Sequence, residues 1–244
     1  MGDIVSLLQK YQFSEIEITK ILEKKPKKDF DLENTNLILG TLKEYDVLSK
    51  QKIRNKIAKI LKVCQYNNLI AIEEILESKG YDVKEILSRA GSILFKANKQ
   101  KLEEVIEVLE NTNLDVEMII TKCSNLFKNA SVNKIKSIIY LLQDNGIDVR
   151  LIEKCTSVLV GNSASEMYEV MAVLKEYFPF NYKNIILECP VILSRAKASE
   201  IRGIKEELDA DFEFIMNLCP SILAFSSASE IKKIKQELNE QYKS

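Results

Sequence analysis

The sequence predicts an all-α protein, an α-solenoid of about six to seven stacked helical repeats of ~33 residues. The first observation is internal repetition, since similar five-residue segments begin at Ile57, Ala90, Cys123, Cys155, Cys189 and Cys219. The second is the helical spacing of apolar residues within each repeat. The third is the low content of turn-forming residues, 7 Gly and 4 Pro in 244 residues, which disfavours a β-barrel or β-sandwich.

In chain order, residues 1–56 are predicted to form a degenerate N-terminal capping unit of a single domain that covers residues 1–244. Ile18 to Leu22 resembles a short helix of the repeat, but the next such segment follows 39 residues later, at Ile57. The polar stretch from Glu23 to Asn36 is expected to hold the extra length. Residues 57–238 form the regular repeats, and residues 239–244 form a tail.

Within residues 57–238 the segments recur at steps of 33, 33, 32, 34 and 30 residues. Apolar residues follow at fixed distances, and the second of them is always Leu: Leu76, Leu109, Leu142, Leu174, Leu208 and Leu238. Leu102, Val105, Ile106 and Leu109 show the i, i+3, i+4, i+7 spacing of a helix. Each repeat is therefore predicted to contain one long helix, a turn such as Lys79-Gly80 or Asn145-Gly146, and two short helical segments.

The composition excludes most enzyme classes. The chain has no His, so Ser-His and Cys-His nucleophiles and His metal ligands are excluded. The five cysteines lack the close spacing of zinc or redox pairs. Cys123, Cys155, Cys189 and Cys219 occupy the same position, or phase, in their repeats, and Ala90 occupies it in another repeat. This phase therefore favours a small apolar residue between packed helices, and the four phase-locked cysteines are predicted to be buried and unpaired. We expect no catalytic residue, cofactor or metal.

Charge follows the repeat, although the net charge is only −1. The twelve residues after each five-residue segment hold 14 Lys and Arg against 7 Asp and Glu, whereas the later phases of the repeat are acidic. This basic excess lies at the starts of the long helices, where the helix dipole favours acidic residues. Stacking would turn the phase into a basic stripe, which favours binding to phosphates.

The predicted nucleic-acid-binding residues are the cations of this phase. They are Lys96, Lys99, Lys101, Lys128, Lys134, Lys136, Arg195, Lys197, Arg202, Lys205, Lys232, Lys233 and Lys235. Loop residues at or next to one phase differ in identity from repeat to repeat: Asn98, Asn129, Asn162, Lys197 and Ser227. Recognition of successive bases by successive repeats would need such differences. The alternative is a protein–protein interaction scaffold that binds no nucleic acid, with apolar or acidic residues on its inner face.

Two repeats carry a recognisable pattern. The stretch from Phe180 through Cys189-Pro190 to Ser194 runs from a short helix into a Pro-x-x-Leu turn, and a polar loop and the long helix from Ile201 to Leu208 follow. Phe214 to Leu238 repeats this order. The pattern resembles the repeat of the mitochondrial transcription termination factor family, although only two of six repeats carry the proline. TAL effector repeats are similar in length, but their glycine-rich base-reading loop is missing here.

The resemblance implies a superhelical α-solenoid that binds double-stranded DNA or structured RNA along a basic groove, in transcription regulation or termination, without catalysis. No apolar run approaches the ~18 residues that span a bilayer, so we expect no membrane association. A monomer inside the cell is expected, in the cytoplasm or nucleoid of a bacterium or in an organellar matrix of a eukaryote. The sequence is compatible with DNA or RNA as the ligand, and also with a protein partner.

Overall fold

The computed structural model describes residues 3–24, 30–123 and 125–241, and over these residues the chain is all-α, without a β-strand. In chain order the helices are α1 (Ile4–Lys10), α2 (Glu15–Lys24), α3 (Leu32–Glu44), α4 (Gln51–Arg54), α5 (Ile57–Val63), α6 (Tyr66–Ser78), α7 (Val83–Ala90), α8 (Ile93–Lys96), α9 (Lys99–Glu110), α10 (Val116–Lys122), α11 (Leu126–Asn129), α12 (Val132–Asp144), α13 (Leu151–Lys154), α14 (Ala164–Tyr177), α15 (Tyr182–Glu188), α16 (Val191–Arg195), α17 (Ala198–Leu208), α18 (Phe212–Leu218), α19 (Ile222–Phe225) and α20 (Ala228–Gln241). Short 3-10 segments occupy Thr156–Leu159 and Asp209–Asp211. The predicted fold class, all-α, is confirmed.

Long and short helices alternate as the repeat predicts. The long helices α3, α6, α9, α12, α14, α17 and α20 have 11 to 14 residues. Short helical segments separate each long helix from the next. The phase-locked residues Leu76, Leu109, Leu142 and Leu174 are fully buried, and Leu208 is nearly so. The side chain of Leu238 lies outside the described residues.

The chain forms two compact units, residues 1–128 and residues 129–244. In the first unit α3 packs on α6, and α6 packs on α9. The short helices form further layers there, because α2 packs on α5, α5 on α8, α4 on α7, and α7 on α10. In the second unit α12 packs on α14, α14 on α17, and α17 on α20. Each long helix therefore contacts the next long helix in sequence within its unit.

Left-handed residues end the long helices at one phase of the repeat. Asp46, Gly80, Asn113 and Gly146 all have a positive φ, between 55° and 74°. The chain then turns back, so that the amide of Tyr81 donates to the Leu76 carbonyl at 3.0 Å. This bond satisfies a carbonyl of the last helical turn, as in a Schellman motif. Gly, Asn and Asp are the residues that tolerate this conformation, which explains the Lys-Gly and Asn-Gly turn signals.

The N-terminal region and the tail can be placed within the described residues. Residues 3–56 contain α1 to α4, and α2 packs on α5 as a short helix of a repeat does. α2 ends at Lys24 and α3 begins at Leu32, and most of the predicted position of the extra length, residues 25–29, lies outside the described residues. The predicted tail begins inside α20, which continues to Gln241, and residues 242–244 are not described.

The cysteine prediction holds in part. None of the five cysteines, all of which lie in the described residues, forms a disulfide, and Cys123 and Cys189 are buried. Cys155 is half-buried and Cys219 is exposed, so the prediction that all four phase-locked cysteines are buried is wrong. Cys123, Cys155, Cys189 and Cys219 each follow the last residue of a short helix and cap it. Burial of this position depends on cover from the neighbouring repeat, and α19 and α20, which follow Cys219, pack chiefly on the preceding helices α16 and α17.

Candidate nucleic-acid interface

The predicted cations lie in a loop, in the short helices α8, α11 and α16, or within the first eight residues of the long helices. Nine of the thirteen are exposed, and Lys96, Lys101, Lys134 and Lys205 are half-buried. Lys96, Lys99, Lys101 and Lys128 belong to the first compact unit, and the others belong to the second. What each ammonium or guanidinium group contacts divides twelve of the thirteen into three groups, and the thirteenth, Lys96, is half-buried and is not free.

The first group is bound to backbone carbonyls of a neighbouring repeat. Lys101 Nζ donates to the Phe127 carbonyl oxygen at 2.8 Å, and Lys134 Nζ donates to the Gly161 carbonyl oxygen at 2.7 Å. Lys235 Nζ donates to the Glu207 carbonyl oxygen. These bonds occupy one donor of each ammonium group and hold the side chain against the protein, so the three lysines have a structural role.

Lys101 and Lys134 share a position with other bridging residues, the third residue of a long helix. At this position in α3, Asn34 Oδ1 accepts a hydrogen bond from the Tyr66 amide at 2.8 Å. Asn68 of α6 donates to the Ala97 carbonyl at 3.2 Å, and Glu200 of α17 accepts from the Ala228 amide at 3.0 Å. The third residue of the long helix is thus a recurrent link between successive repeats, made by amides, ammonium groups and a carboxylate.

Lys101→Met should lower the free energy of unfolding by about 1–2 kcal/mol, because a partly buried hydrogen bond from a charged donor is lost. Lys99→Met is the matched control, since Lys99 lies two residues away on the same helix and is exposed. It should change stability by no more than ~0.5 kcal/mol. Urea titrations of both variants measure the difference, and equal losses would contradict the linking role of Lys101.

The second group contacts acidic or aromatic side chains. Arg202 pairs with Glu176 at 3.3 Å, and Lys232 lies 4.0 Å from Glu207. Lys233 lies 3.7 Å from Glu237, one turn further along α20. The Arg195 guanidinium lies 5.0 Å from the Phe225 ring centroid, and Lys205 Nζ lies 5.6 Å from that of Phe212. Exposed contacts of this kind contribute little stability, so a phosphate can replace the acid.

The third group forms no salt bridge within the described part of the chain, although Lys197 lies near Glu166. It consists of Lys99, Lys128, Lys136 and Lys197, all of which are exposed. Lys99 begins α9, Lys128 lies in α11, Lys136 lies in the second turn of α12, and Lys197 precedes α17. Their ammonium groups are the cations of the predicted set that are most available to an external anion.

A groove of about 420 Å³ separates the starts of α14 and α17 in the second unit. Its walls carry both signs of charge, Lys197 and Arg202 against Glu166 and Glu169. Bonds from the Ser163 amide and hydroxyl, with nearby Lys134 and Lys197, lower the pKa of Glu166. Glu166 therefore stays ionised near neutral pH and disfavours a phosphate in this groove.

The loop residues considered for base reading are largely occupied. Asn98 Oδ1 accepts from the Lys101 amide at 2.9 Å and caps α9. Asn162 donates to the Ala196 carbonyl at 2.8 Å, and the Ser227 hydroxyl donates to Glu230 at 2.9 Å. Asn129 and Lys197 are exposed. Capping and inter-repeat contacts explain three of the five loop residues without any base contact.

One cation of the N-terminal region has a structural role that the sequence did not indicate. Arg54 forms two hydrogen bonds to the Glu17 carboxylate, at 2.6 and 2.8 Å, and lies 4.5 Å from the Phe13 ring centroid. The guanidinium lowers the pKa of Glu17 to about 2. Lys50 and Lys52 line a neighbouring groove with Glu85 and Arg89. Lys50, Lys52 and Arg54 belong to one basic stretch of the sequence, so such a stretch does not by itself identify a phosphate site.

The described residues contain neither a candidate metal site nor a helix that could span a membrane. Over residues 3–24, 30–123 and 125–241, no three His, Cys, Asp or Glu side chains converge as a metal site would require. None of the helices described in these ranges is both long and apolar enough to cross a bilayer. No protein-family model, curated protein or solved structure matches the chain, so the family resemblance rests on the residues that carry it.

Proposed function

We propose that this chain is a non-enzymatic helical-repeat protein that binds double-stranded DNA or structured RNA through backbone phosphates. The observation that supports it best is the set of exposed lysines that form no salt bridge and lie in or just before the first two turns of long helices, Lys99, Lys128, Lys136 and Lys197. A role in transcription regulation or termination follows from the family resemblance and is part of the proposal. Arg202, Lys232 and Lys233 would add contacts once their exposed ion pairs open.

An α-solenoid within each compact unit is the second part of this proposal. Its support is the order of packing, α3 on α6 on α9 in the first unit, and α12 on α14 on α17 on α20 in the second. The links at the third position of the long helices also join successive repeats. In such a stack, residues of one sequence phase lie along one side of the unit.

The placement of Lys99 and Lys197 at helix starts opposes the helix dipole, which supports a binding role. Lys99 is the first residue of α9, where the dipole disfavours a cation by up to ~1 kcal/mol. The first turn of α9 contains no acidic residue. A bound phosphate would reverse this cost, because a helix start and a nearby ammonium group both attract an anion. Lysine acts on phosphate as a point charge, so the proposal includes no base reading.

The test is binding of a labelled duplex DNA and of a labelled RNA hairpin, measured by fluorescence anisotropy on the full chain. A variant with Lys99, Lys128, Lys136 and Lys197 all changed to Gln should bind both probes at least about 100-fold more weakly at low salt. The matched control changes Lys79, Lys84, Arg89 and Arg150 to Gln. These four are paired with Glu110, Asp46, Glu85 and Asp148. Both variants lose the same charge, so equal weakening would contradict the site, and no binding by the parent chain would contradict the function.

A protein-interaction scaffold is the second candidate, and one observation favours it. Phe214 and Leu218 are 67% and 70% exposed on α18, where earlier repeats carry mainly polar or charged residues. Exposed apolar side chains at one place on a repeat protein favour a protein partner. This function does not exclude nucleic-acid binding, because α18 lies outside the phase that carries the lysines.

A further inference from the structure

The solvent-facing side of α18 differs from the same face in the other repeats. The residue before each phase-locked Cys or Ala is charged in four repeats, as Arg89, Lys122, Lys154 and Glu188, and all four are exposed. In the last repeat this residue is Leu218. Four residues earlier the other repeats carry Glu85, Met118, Arg150 and Asn184, and the last carries Phe214. Two large apolar side chains therefore replace mainly polar ones.

Phe214 and Leu218 form a continuous apolar stripe. They are four residues apart on one helix, so they lie on the same face, one turn above the other. Both are more than two-thirds exposed, whereas Phe212 and Met216 of the same helix are buried and hold α18 against the protein. The packing of α18 against its own unit therefore does not depend on Phe214 and Leu218.

The chain segment that carries this stripe is strongly acidic, although Lys205 Nζ lies against the Phe212 ring of α18. Residues 206 to 218 contain Glu206, Glu207, Asp209, Asp211 and Glu213 and no basic residue. Glu207 lies near Lys232, but Glu206, Asp209, Asp211 and Glu213 are exposed and form no ion pair with any described residue. Asp211 lies three residues before Phe214, so it borders the apolar stripe directly.

We propose that the α18 surface, defined by Asp209, Asp211, Glu213, Phe214 and Leu218, binds a basic amphipathic helix of a partner protein. The apolar stripe would receive the partner's apolar face, in the i, i+4 pattern of helix–helix recognition. The free carboxylates would pair with Lys or Arg beside that face, which increases the association rate and selects the partner's charge. The same carboxylates repel anionic lipid headgroups and nucleic acid, so neither of these occupies the surface.

The probe is a labelled amphipathic helical peptide with Leu on one face and Lys on the other, titrated with the full chain. Phe214→Ser together with Leu218→Ser should weaken its binding at least about tenfold. The matched control, Tyr140→Ser with Tyr168→Ser, removes two exposed aromatic side chains elsewhere in the second unit and should leave binding unchanged. All four residues are exposed, so folding should survive, and circular dichroism checks this.

Charge selection is tested separately. Asp211→Asn with Glu213→Gln should weaken binding of the Lys peptide about three- to tenfold at low salt. Glu103→Gln with Glu107→Gln, which removes two exposed carboxylates from α9, should not. A Leu/Glu peptide of the same pattern should bind at least about tenfold more weakly than the Leu/Lys peptide.

Four outcomes would overturn this proposal. They are equal loss in the α18 and control variants, equal binding of the Leu/Glu peptide or of anionic vesicles, no peptide binding at about 100 μM protein, and self-association that Phe214→Ser with Leu218→Ser abolishes. The last outcome would make the occupant a second copy of the chain. Binding of the labelled duplex should be unchanged in the α18 variants, so this result is independent of the proposed nucleic-acid function.

Discussion

Leu142→Ala should lower the free energy of unfolding of the second compact unit by ~2–5 kcal/mol. Leu142 is fully buried at the end of α12, and α12 packs on α14. Truncation removes three side-chain carbons from a packed interior and leaves a cavity that the surrounding helices fill only in part. The effect is expected to be large because every internal repeat places a Leu at this phase.

Tyr140→Ala is the control for this prediction. Tyr140 lies two residues earlier on α12, but its side chain is 69% exposed. It should change the free energy of unfolding by no more than ~0.5 kcal/mol. The chain has no Trp, so far-ultraviolet circular dichroism in a urea titration is the suitable signal. If the two units unfold in separate transitions, only that of residues 129–244 should move. A Tyr140→Ala cost as large as that of Leu142→Ala would mean that the repeat register is wrong.

The repeated features of the fold could be predicted because each was observed several times in one sequence. Leu76, Leu109, Leu142 and Leu174 occupy one phase, and all four are fully buried. A single Leu says little about burial, but a Leu that recurs at one phase among helix-spaced apolar residues indicates a core position. The turns after the long helices were predictable for the same reason, and Gly80 and Gly146 both take the left-handed conformation there.

Features that occur in only one repeat were less predictable. The phase gives the position of a residue within its repeat, but it does not give the residues that pack against it. Cys219 has the phase of Cys189, yet it is exposed while Cys189 is buried. Ser194 lies against Gly161, where an added Cβ would be 2.3 Å from the Ser194 carbonyl oxygen. Only a Gly accommodates so close an approach of two chains, and nothing local in the sequence distinguishes this Gly from a flexible one.

The candidate site shows the same limit more clearly. Phase gave the position of each lysine within its repeat, but it treated the lysines as equivalent. Lys134 reaches a carbonyl of the next repeat, whereas Lys136 is exposed without an acidic partner. Long flexible side chains can reach any acceptor within about 6 Å of the backbone, so their partners depend on packing. Arg54 and Glu17, 37 residues apart in sequence, form a contact of the same kind.

Binding of duplex DNA should weaken about 10²-fold between 50 and 200 mM salt if four lysines neutralise four phosphates. Each neutralised phosphate releases condensed counterions, and for B-DNA the slope of log affinity against log salt is about −0.9 per contact. Four contacts give a slope of about −3.6, which over a fourfold change in salt corresponds to ~10²-fold. The slope therefore counts the cations that are used.

A steeper slope would identify the additional cations. If Arg195, Arg202, Lys205, Lys232 and Lys233 left their acidic or aromatic partners to contact phosphates, nine contacts would give a slope of about −8 and a loss of nearly 10⁵-fold. Changing Lys99, Lys128, Lys136 and Lys197 to Gln should reduce the slope by about 3.6 units in either case. The charge-matched control at Lys79, Lys84, Arg89 and Arg150 should leave it unchanged. A slope near zero in the parent chain would contradict phosphate binding, because an interface without ionic contacts releases no counterions.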